Sequence, residues 1–503
     1  MADHEAVHFH STPIEVATRM ADLLASSLTG GSRTVRLLDP GVGEGALAVA
    51  ASKAFADRSL EVTVTGMDVS SELLESANVN LASTGVTPDL RKGDFLTDRE
   101  IGEFDAVICN PPYGKRAQAE LGEAILLEYR EAISGHPNLF ALFIHKIIRA
   151  LRPDGVAVVI CPKSLMSGPY FKGLRKFMHE QGAIEQILMF DQRTGLFEGV
   201  LQGVWIFVFR KSAVQGKCIV HRMGSPAEED RWVVDTPYGD GEKLAYRIIP
   251  GSSAADRELL VAALHYPRSV SDCFAVETGP LVWFRHKDRL CEPAPMEEEV
   301  VPIIWSDQVE HGYITAGRRT DRLRGAGRNR FALSQSKLGP TLVTKRITAP
   351  EEERRLVAGL MSSRWWSRPV IYENHTNVIR SLCNDVDQLA SLKLLFATDL
   401  YDDLLRALSH NTQVGAADLR ILPFVEIPLG HREKEAVLDA AENQVALSEL
   451  LDLRSVGDRL LEVLSTPSLC DPNVGVDGDV VHLTLPFSEP ANGSIDSCKS
   501  VDA

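Results

Sequence analysis

The sequence predicts a doubly wound α/β sheet closed by an antiparallel hairpin and followed by a second, mixed α/β domain. Three observations carry this reading. Strand and helix signals alternate from residue 35 to residue 211, the last two strand signals of that run are separated only by a loop, and the alternation stops after Lys211. With 503 residues, 44% of them hydrophobic and 24% charged, the chain can bury enough core for two domains and a tail.

The first strand, 35–38, is a short apolar run that enters Asp39-Pro40-Gly41-Val42-Gly43-Glu44-Gly45, and helix 46–56 begins directly after the last glycine. Strand 61–67 leads to Asp68 and helix 71–83, and 89–92 is the third strand. The run Phe104-Asp105-Ala106-Val107-Ile108-Cys109 reads as a buried fourth strand. Helices 117–133 and 139–151, strand 155–161, helix 170–181 and strands 183–190 and 203–210 complete the pattern. The first domain is therefore expected at 1–215, with a connector at 216–255. Short strands, Pro/Gly turns and basic loops mark a recognition domain at 256–430. One or two amphipathic helices follow at 431–466, and 467–503 has the composition of an acidic, disordered tail.

Composition narrows the function classes. No apolar run approaches 18 residues, and Met1-Ala2-Asp3-His4-Glu5 lacks the basic and apolar segments of a signal peptide, which points to a cytoplasmic protein without a membrane partner. The eight cysteines form no C-x-x-C pair and have no nearby His pair, so neither a disulfide framework nor a metal is expected. The net charge of −16 argues against nucleic acid at first sight. Its distribution reverses the inference, because residues 312–380 hold 14 Lys and Arg against 5 Asp and Glu. Arg318, Arg319, Arg322, Arg324, Arg328 and Arg330 lie in one such stretch. Standing alone, a run of this kind is usually a solvated loop. Beside a catalytic corner it reads as a surface for phosphates.

That corner is Asn110-Pro111-Pro112-Tyr113, at the end of the fourth strand. It places an amide, a proline carbonyl and an aromatic ring on a rigid turn. The Asn110 oxygen and the Pro111 carbonyl can accept hydrogen bonds from an exocyclic amino group while Tyr113 stacks on a flat ring. Upstream, Gly41, Gly43 and Gly45 follow G-x-G-x-G spacing, which lets the backbone turn sharply and approach a ligand, but lacks both the dinucleotide fingerprint and the Lys-Ser/Thr of a phosphate loop. A nucleoside bearing an amino-acid arm fits better, although a merely tight strand-to-helix turn would look the same. Asp39, Asp68 and Asp94 stand at three successive strand ends. Asp68 is placed to accept ribose hydroxyls and Asp94 an adenine amino group, with Phe95 packing on the ring. Any one of them alone reads as a cap or turn residue.

These motifs together resemble the N6-adenine DNA methyltransferases of the gamma arrangement, in which the cofactor site precedes the catalytic motif and the target-recognition domain is C-terminal. The resemblance implies a Rossmann-like fold dependent on S-adenosyl-L-methionine, duplex DNA as partner and a separate restriction endonuclease. Phe9-His10-Ser11-Thr12-Pro13 is similar to a family motif whose Thr holds the methionine arm of the cofactor, with a His-Ser insertion here. Leu196-Phe197-Glu198-Gly199 looks like the motif whose Phe stacks on the flipped adenine opposite the Tyr; a core aromatic at a hairpin bend is the alternative for Phe197. The segments 276–285, 345–355, 373–377 and 412–420 resemble the recognition domain of PstI/BsuBI-type modification methyltransferases, Gly415 departing from an expected Asn. That implies the target CTGCAG and a DNA-binding set of Arg285, Lys345, Arg346, Asn374, Asn377 and Gln413 beside the arginine run. The rival readings are a protein-glutamine or RNA N-methyltransferase, which uses the same catalytic corner, and a non-catalytic DNA-binding protein. No Asp…Glu-x-Lys cluster suggests a fused nuclease.

Overall fold

The structure, a computed structural model, describes residues 12–28, 34–99, 102–114, 118–130, 138–190, 203–223, 229–239, 244, 246–286, 290–291, 301–315, 328–329, 337–348, 352–409, 413–425 and 431–464. The chain divides into two compact units, Met1–Glu258 with Ala407–Asn411, and Leu259–Arg406 with Thr412–Ala503.

The first unit is built on a nine-stranded sheet. In chain order its strands are β1 (Thr34–Asp39), β2 (Glu61–Asp68), β3 (Asp89–Lys92), β4 (Phe104–Cys109), β5 (Leu151–Pro162), β6 (Gly182–Phe190), β7 (Val204–Lys211), β8 (Cys218–Met223) and β9 (Glu229–Val234). They lie in the order β3-β2-β1-β4-β5-β7-β6-β8-β9, parallel from β3 through β5, with β7 antiparallel to both of its neighbours. The helices are α1 (Ile14–Ser27), α2 (Ala46–Ala56), α3 (Ser71–Ala82), α4 (Gln118–Glu128), α5 (Leu139–Ala150), α6 (Ser164–Ser167) and α7 (Lys172–Gln181). Alternate residues of β4 enter opposite halves of the core. Val107 and Cys109 join the cluster that includes α5, while Ala106 and Ile108 join the one that includes α1 and α2. A strand covered on both faces is largely apolar; Asp105 is the exception here, its carboxylate accepting the Arg36 amide at 2.7 Å, and the rest of 104–109 reads clearly in sequence.

The chain leaves β1 toward β2 and β3 and then crosses to β4 on the other side. In open α/β sheets that reversal opens a crevice outside the carboxyl ends of the strands. The glycine loop after β1 and the Asn-Pro-Pro-Tyr turn after β4 both open there.

Several expectations need correction. Residues 216–255 are not a connector: β8 pairs with the outer edge of β6, β9 pairs with β8, and the Trp232 indole donates to the Pro250 carbonyl at 2.9 Å. The sheet therefore does not end at the β6–β7 hairpin. The single helix expected at 117–133 is interrupted at Gly122, whose φ of +72° lies in the left-handed region; residues 131–133 are outside the described set. The helix expected from 170 begins as a 3-10 turn, Pro169–Phe171, and β5 starts four residues early at Leu151.

The second unit contains a sheet of five strands and one of four among the described residues. The first has β10 (Phe274–Thr278), β18 (Thr376–Ser381), β15 (Leu342–Lys345), β16 (Ala358–Leu360) and β13 (Gly312–Tyr313) in that order. The second has β11 (Leu290–Cys291), β14 (Arg328–Asn329), β12 (Val301–Ile304) and β17 (Ile371–Tyr372). Helices His431–Asn443 and Leu453–Leu464 pack on helix Val386–Ala397, so they belong to this unit. The tail at 467–503 is outside the described residues. Among those described, no helix is long and apolar enough to cross a membrane, and no cluster of three or more His, Cys, Asp or Glu could hold a metal.

Candidate active site

Four strand ends and two helices, α3 and α5, line a cavity of about 220 Å³ in the first unit. Pro40 and Gly41 line it after β1, Asp68, Val69, Ser70 and Leu73 after β2, and Gly93, Asp94, Phe95 and Leu96 after β3. The wall after β4 is Asn110, Pro111, Pro112 and Tyr113, and α5 adds Leu139 and Phe143. The expected residues Gly41, Asp68, Asp94, Phe95 and the whole Asn-Pro-Pro-Tyr turn are thus brought together.

Asp68 staples the loops after β1 and β2. One carboxylate oxygen accepts the Gly43 amide at 3.0 Å and the other the Ser70 amide at 2.9 Å. A carboxylate offers about four acceptor positions, so both oxygens keep capacity for ligand hydroxyls. The loop itself depends on glycine at two places: Gly43 has φ +52° and Gly45 φ +88°, and a Cβ at Gly45 would stand 3.3 Å from Ala77 of α3. Gly41 is different. A Cβ there would meet only the Asn110 carbonyl at 3.8 Å and the Phe143 ring at 3.9 Å, leaving a cradle beside the cavity.

Asp39 is 1% exposed, and neither carboxylate oxygen makes a well-formed hydrogen bond. Burial pushes its pKa up to about 8; the nearby Gly41 amide opposes the rise and the Asp68 charge adds to it. Asp39 does not line the cavity, so the fit to a nucleoside rests on the open cradle at Gly41 and the acceptors of Asp68.

The half-buried Asn110 amide nitrogen donates to the Thr12 hydroxyl at 3.1 Å, and Thr12 is itself buried just before α1. This bond across 98 residues fixes which way the amide faces. Tyr113 is half-buried and wedged between the two halves of the core, its ring edge-on to Phe140 with centroids 6.4 Å apart. Burial drives its hydroxyl well above the usual phenol range, so it stays neutral. The Asp94 carboxylate accepts the Leu96 amide at 3.0 Å in a turn. Phe95 is 1% exposed and packs on Phe143 at 5.2 Å, so most of its ring is committed to the core. Sequence reasoning missed Leu139 and Phe143, whose only signal was the apolar stripe of α5, and Val69, Ser70 and Leu73, which simply follow an acidic strand end.

The residues expected to contact DNA divide. In the second unit Arg285 is exposed at the end of the turn Trp283–Arg285, and Lys345 closes β15. The Arg346 guanidinium reaches the Asn374 carbonyl at 2.9 Å and the Gln413 side-chain oxygen at 3.1 Å. Asn377 does not belong to a DNA-reading set. It is fully buried, and its amide donates to the Thr344 hydroxyl at 3.2 Å and the Val414 carbonyl at 3.0 Å, so its donors serve the interior. Part of the basic excess is engaged within the fold too: Arg354 pairs with the exposed Asp399 at 2.8 Å, and Arg355 is 1% exposed. Phe197, Arg318, Arg319, Arg322, Arg324 and Arg330 lie outside the described residues. Arg328 is described only as backbone in β14, paired with Cys291 and Pro302.

Residues 57–197 match the Eco57I restriction-modification methylase family. Over 349 residues the chain is 27% identical to the type II methyltransferase M.PstI of Providencia stuartii, a match that spans 66% of each chain. Over 398 residues it is 26% identical to the type II methyltransferase M.BsuBI of Bacillus subtilis, spanning 73% of this chain and 74% of the relative. The solved structure of the type IIL restriction-modification enzyme MmeI in complex with DNA aligns with a TM-score of 0.54 at 12% identity, over 92% of this chain and 73% of that one. At that identity the likeness shows the fold alone.

Proposed function

We propose that this chain, which carries an Eco57I restriction-modification methylase segment and resembles the PstI and BsuBI type II methyltransferases over most of its length, is a DNA methyltransferase of a restriction-modification system. More finely, it transfers a methyl group from S-adenosyl-L-methionine to N6 of an adenine flipped out of duplex DNA. The observation that carries the finer reading is the convergence of Asn110, Pro111 and Tyr113 with Asp68 and Gly41 around one cavity.

When bound, S-adenosyl-L-methionine supplies an electrophilic methyl group on a sulfonium, already a good leaving group. Thr12, Asp39 and the loop of Gly41, Gly43 and Gly45 would hold its amino-acid arm, Asp68 its ribose, and Asp94 with Phe95 its adenine. An aromatic amine is a poor nucleophile because its lone pair is delocalised into the ring. Acceptors at the Asn110 oxygen and the Pro111 carbonyl draw both N–H groups out of plane and so favour the sp3 geometry of attack. Positioning for in-line attack and this preorganised polarity supply much of the acceleration, and no covalent nucleophile is needed. Extruding the base costs roughly a few kcal/mol. Stacking on Tyr113, with Phe197 as the second face, offsets that cost. The arginine run from Arg318 to Arg330, together with Arg285 and Lys345, is assigned to DNA. The protein works in the cytoplasm beside a restriction endonuclease carried on a separate chain.

Two results check this function. Asp68→Ala is expected to weaken cofactor binding by roughly 1 to 3 kcal/mol, because a charged acceptor of two hydroxyls is lost along with the staple to the Gly43 amide. An unchanged dissociation constant in calorimetry would remove Asp68 from the site. For the target, plasmid DNA methylated by the purified protein should resist PstI cleavage at CTGCAG and stay sensitive to enzymes with unrelated sites. Complete cutting by PstI, with modified adenine at another sequence, discards the target and leaves the enzyme class standing. Label transfer from the cofactor to protein or RNA instead of DNA supports the rival N-methyltransferase reading.

A further inference from the structure

Three segments of the second unit, far apart in sequence, meet at Arg346. Its amide donates to the His375 carbonyl at 2.8 Å, and its carbonyl accepts the Val414 amide at 2.7 Å. The side chain follows the same path. Nη1 donates to the Asn374 carbonyl at 2.9 Å in partly buried surroundings, while Nη2 donates to the Gln413 oxygen at 3.1 Å at the exposed end of the cluster. Next to it, Ile347 is 47% exposed and bridges to Gln413 through the backbone. Beneath, Glu373 is 1% exposed and its carboxylate accepts the His375 amide at 2.9 Å, which fixes the middle segment.

The cluster is not satisfied internally. Arg346 Nε and Asn374 Oδ1 are buried without a hydrogen-bond partner among the described residues. Unpaired buried donors and acceptors are costly enough that they point to a ligand or a functional constraint. An arginine that only tracks phosphate needs reach and charge, not a clamp. Here Nη1 and Nη2 are each held by one acceptor and Nε is buried, so the guanidinium meets the surface only at its Gln413 end, in a fixed orientation with little side-chain entropy left to lose. Guanine presents two adjacent acceptors, N7 and O6, in the major groove, and a fixed guanidinium is the best match to that pair. The exposed Ile347 adds an apolar contact of the kind a thymine methyl group takes.

The geometry points to Arg346 as the reader of a guanine in the DNA target, with Gln413 and the Asn374 carbonyl as the groups that position it. This rests on the DNA methyltransferase reading above and assigns a base-specific role to one of its residues. Gln413 is therefore a positioning residue, and its loss should affect the same base pair as loss of Arg346.

The test uses the full-length protein, S-adenosyl-L-methionine and a random-sequence duplex pool, followed by sequencing of the modified adenines. The wild type should return a motif containing fixed guanines. Arg346→Lys keeps the charge but removes the fork, so preference at a single G·C position should drop by roughly 5- to 150-fold while the other positions hold. Gln413→Ala, a change at an exposed side chain, should relax that same position to a smaller degree. Cofactor affinity should match the wild type in both. Retention of the whole motif by Arg346→Lys, at normal or uniformly lowered rate, overturns the proposal and leaves a phosphate contact or a structural clasp. Relaxation of different positions by the two variants overturns the positioning role. If Arg346→Lys does not fold, an unrelaxed motif in Gln413→Ala counts against the unit. A wild type that modifies no adenine in DNA defeats the underlying reading, an outcome distinct from all of these.

Discussion

Asn110→Ala is expected to lower methyl transfer by at least about two orders of magnitude while leaving cofactor binding within a small factor of the wild type. Loss of one preorganised polar group at a reacting centre typically costs that much, because the interaction is made mainly in the transition state. The structure sharpens the expectation. The Asn110 side chain is held through its nitrogen by Thr12, on a turn whose Pro111 is buried, so the protein has already met the cost of orienting the amide. Alanine removes the side-chain acceptor from the corner and leaves the Pro111 carbonyl in place. Single-turnover transfer to DNA at saturating cofactor is the appropriate measurement, with calorimetry as the control. Near-normal turnover in a folded Asn110→Ala protein sinks the proposed chemistry.

What the sequence revealed of this site follows from what is local. The strand at 104–109 and the turn after it are contiguous, and the glycine loop lies between an apolar run and a helix, so residue order alone discloses both. The Thr12–Asn110 bond is legible only with the fold in hand, since nothing near either residue encodes it. Leu139 and Phe143 are similar: their apolar spacing says that α5 is buried, not that one side of it meets a cavity. For the fold, the alternation of strands and helices is local and was readable. The insertion of β7 between β5 and β6 was not, because adjacency in sequence does not say which edge a returning strand will join. Strands β8 and β9 were missed for the same reason. They are short and carry charged residues, and they are ordered by the open edge of β6. Asn377 shows the converse limit, since a polar residue in a basic region looks like a recognition residue until its burial is known.

Gly41→Leu is expected to abolish cofactor binding, by at least about two orders of magnitude in dissociation constant or roughly 2.8 kcal/mol, with little change in thermal stability. The contrast between two glycines of one loop carries the argument. At Gly45, φ is +88° and the nearest neighbour of an added Cβ is Ala77 at 3.3 Å, so Gly45→Ala strains the backbone and crowds α3 whether or not a ligand is present. At Gly41 the backbone is outside the left-handed region and an added Cβ meets nothing closer than 3.8 Å, so the fold alone does not demand glycine there. Its side-chain position lies beside the cavity, between the Asn110 carbonyl and Phe143. Alanine should therefore be tolerated with a modest loss of affinity, and leucine should occupy the space the ligand needs. Melting curves and calorimetry on Gly41→Ala, Gly41→Leu and Gly45→Ala separate the two roles. Gly45→Ala is expected to lower the melting temperature, whereas Gly41→Leu removes the binding heat at an unchanged melting temperature. Wild-type affinity in Gly41→Leu would move the cofactor out of this cavity, and with it the alignment of the methyl donor to Asn110.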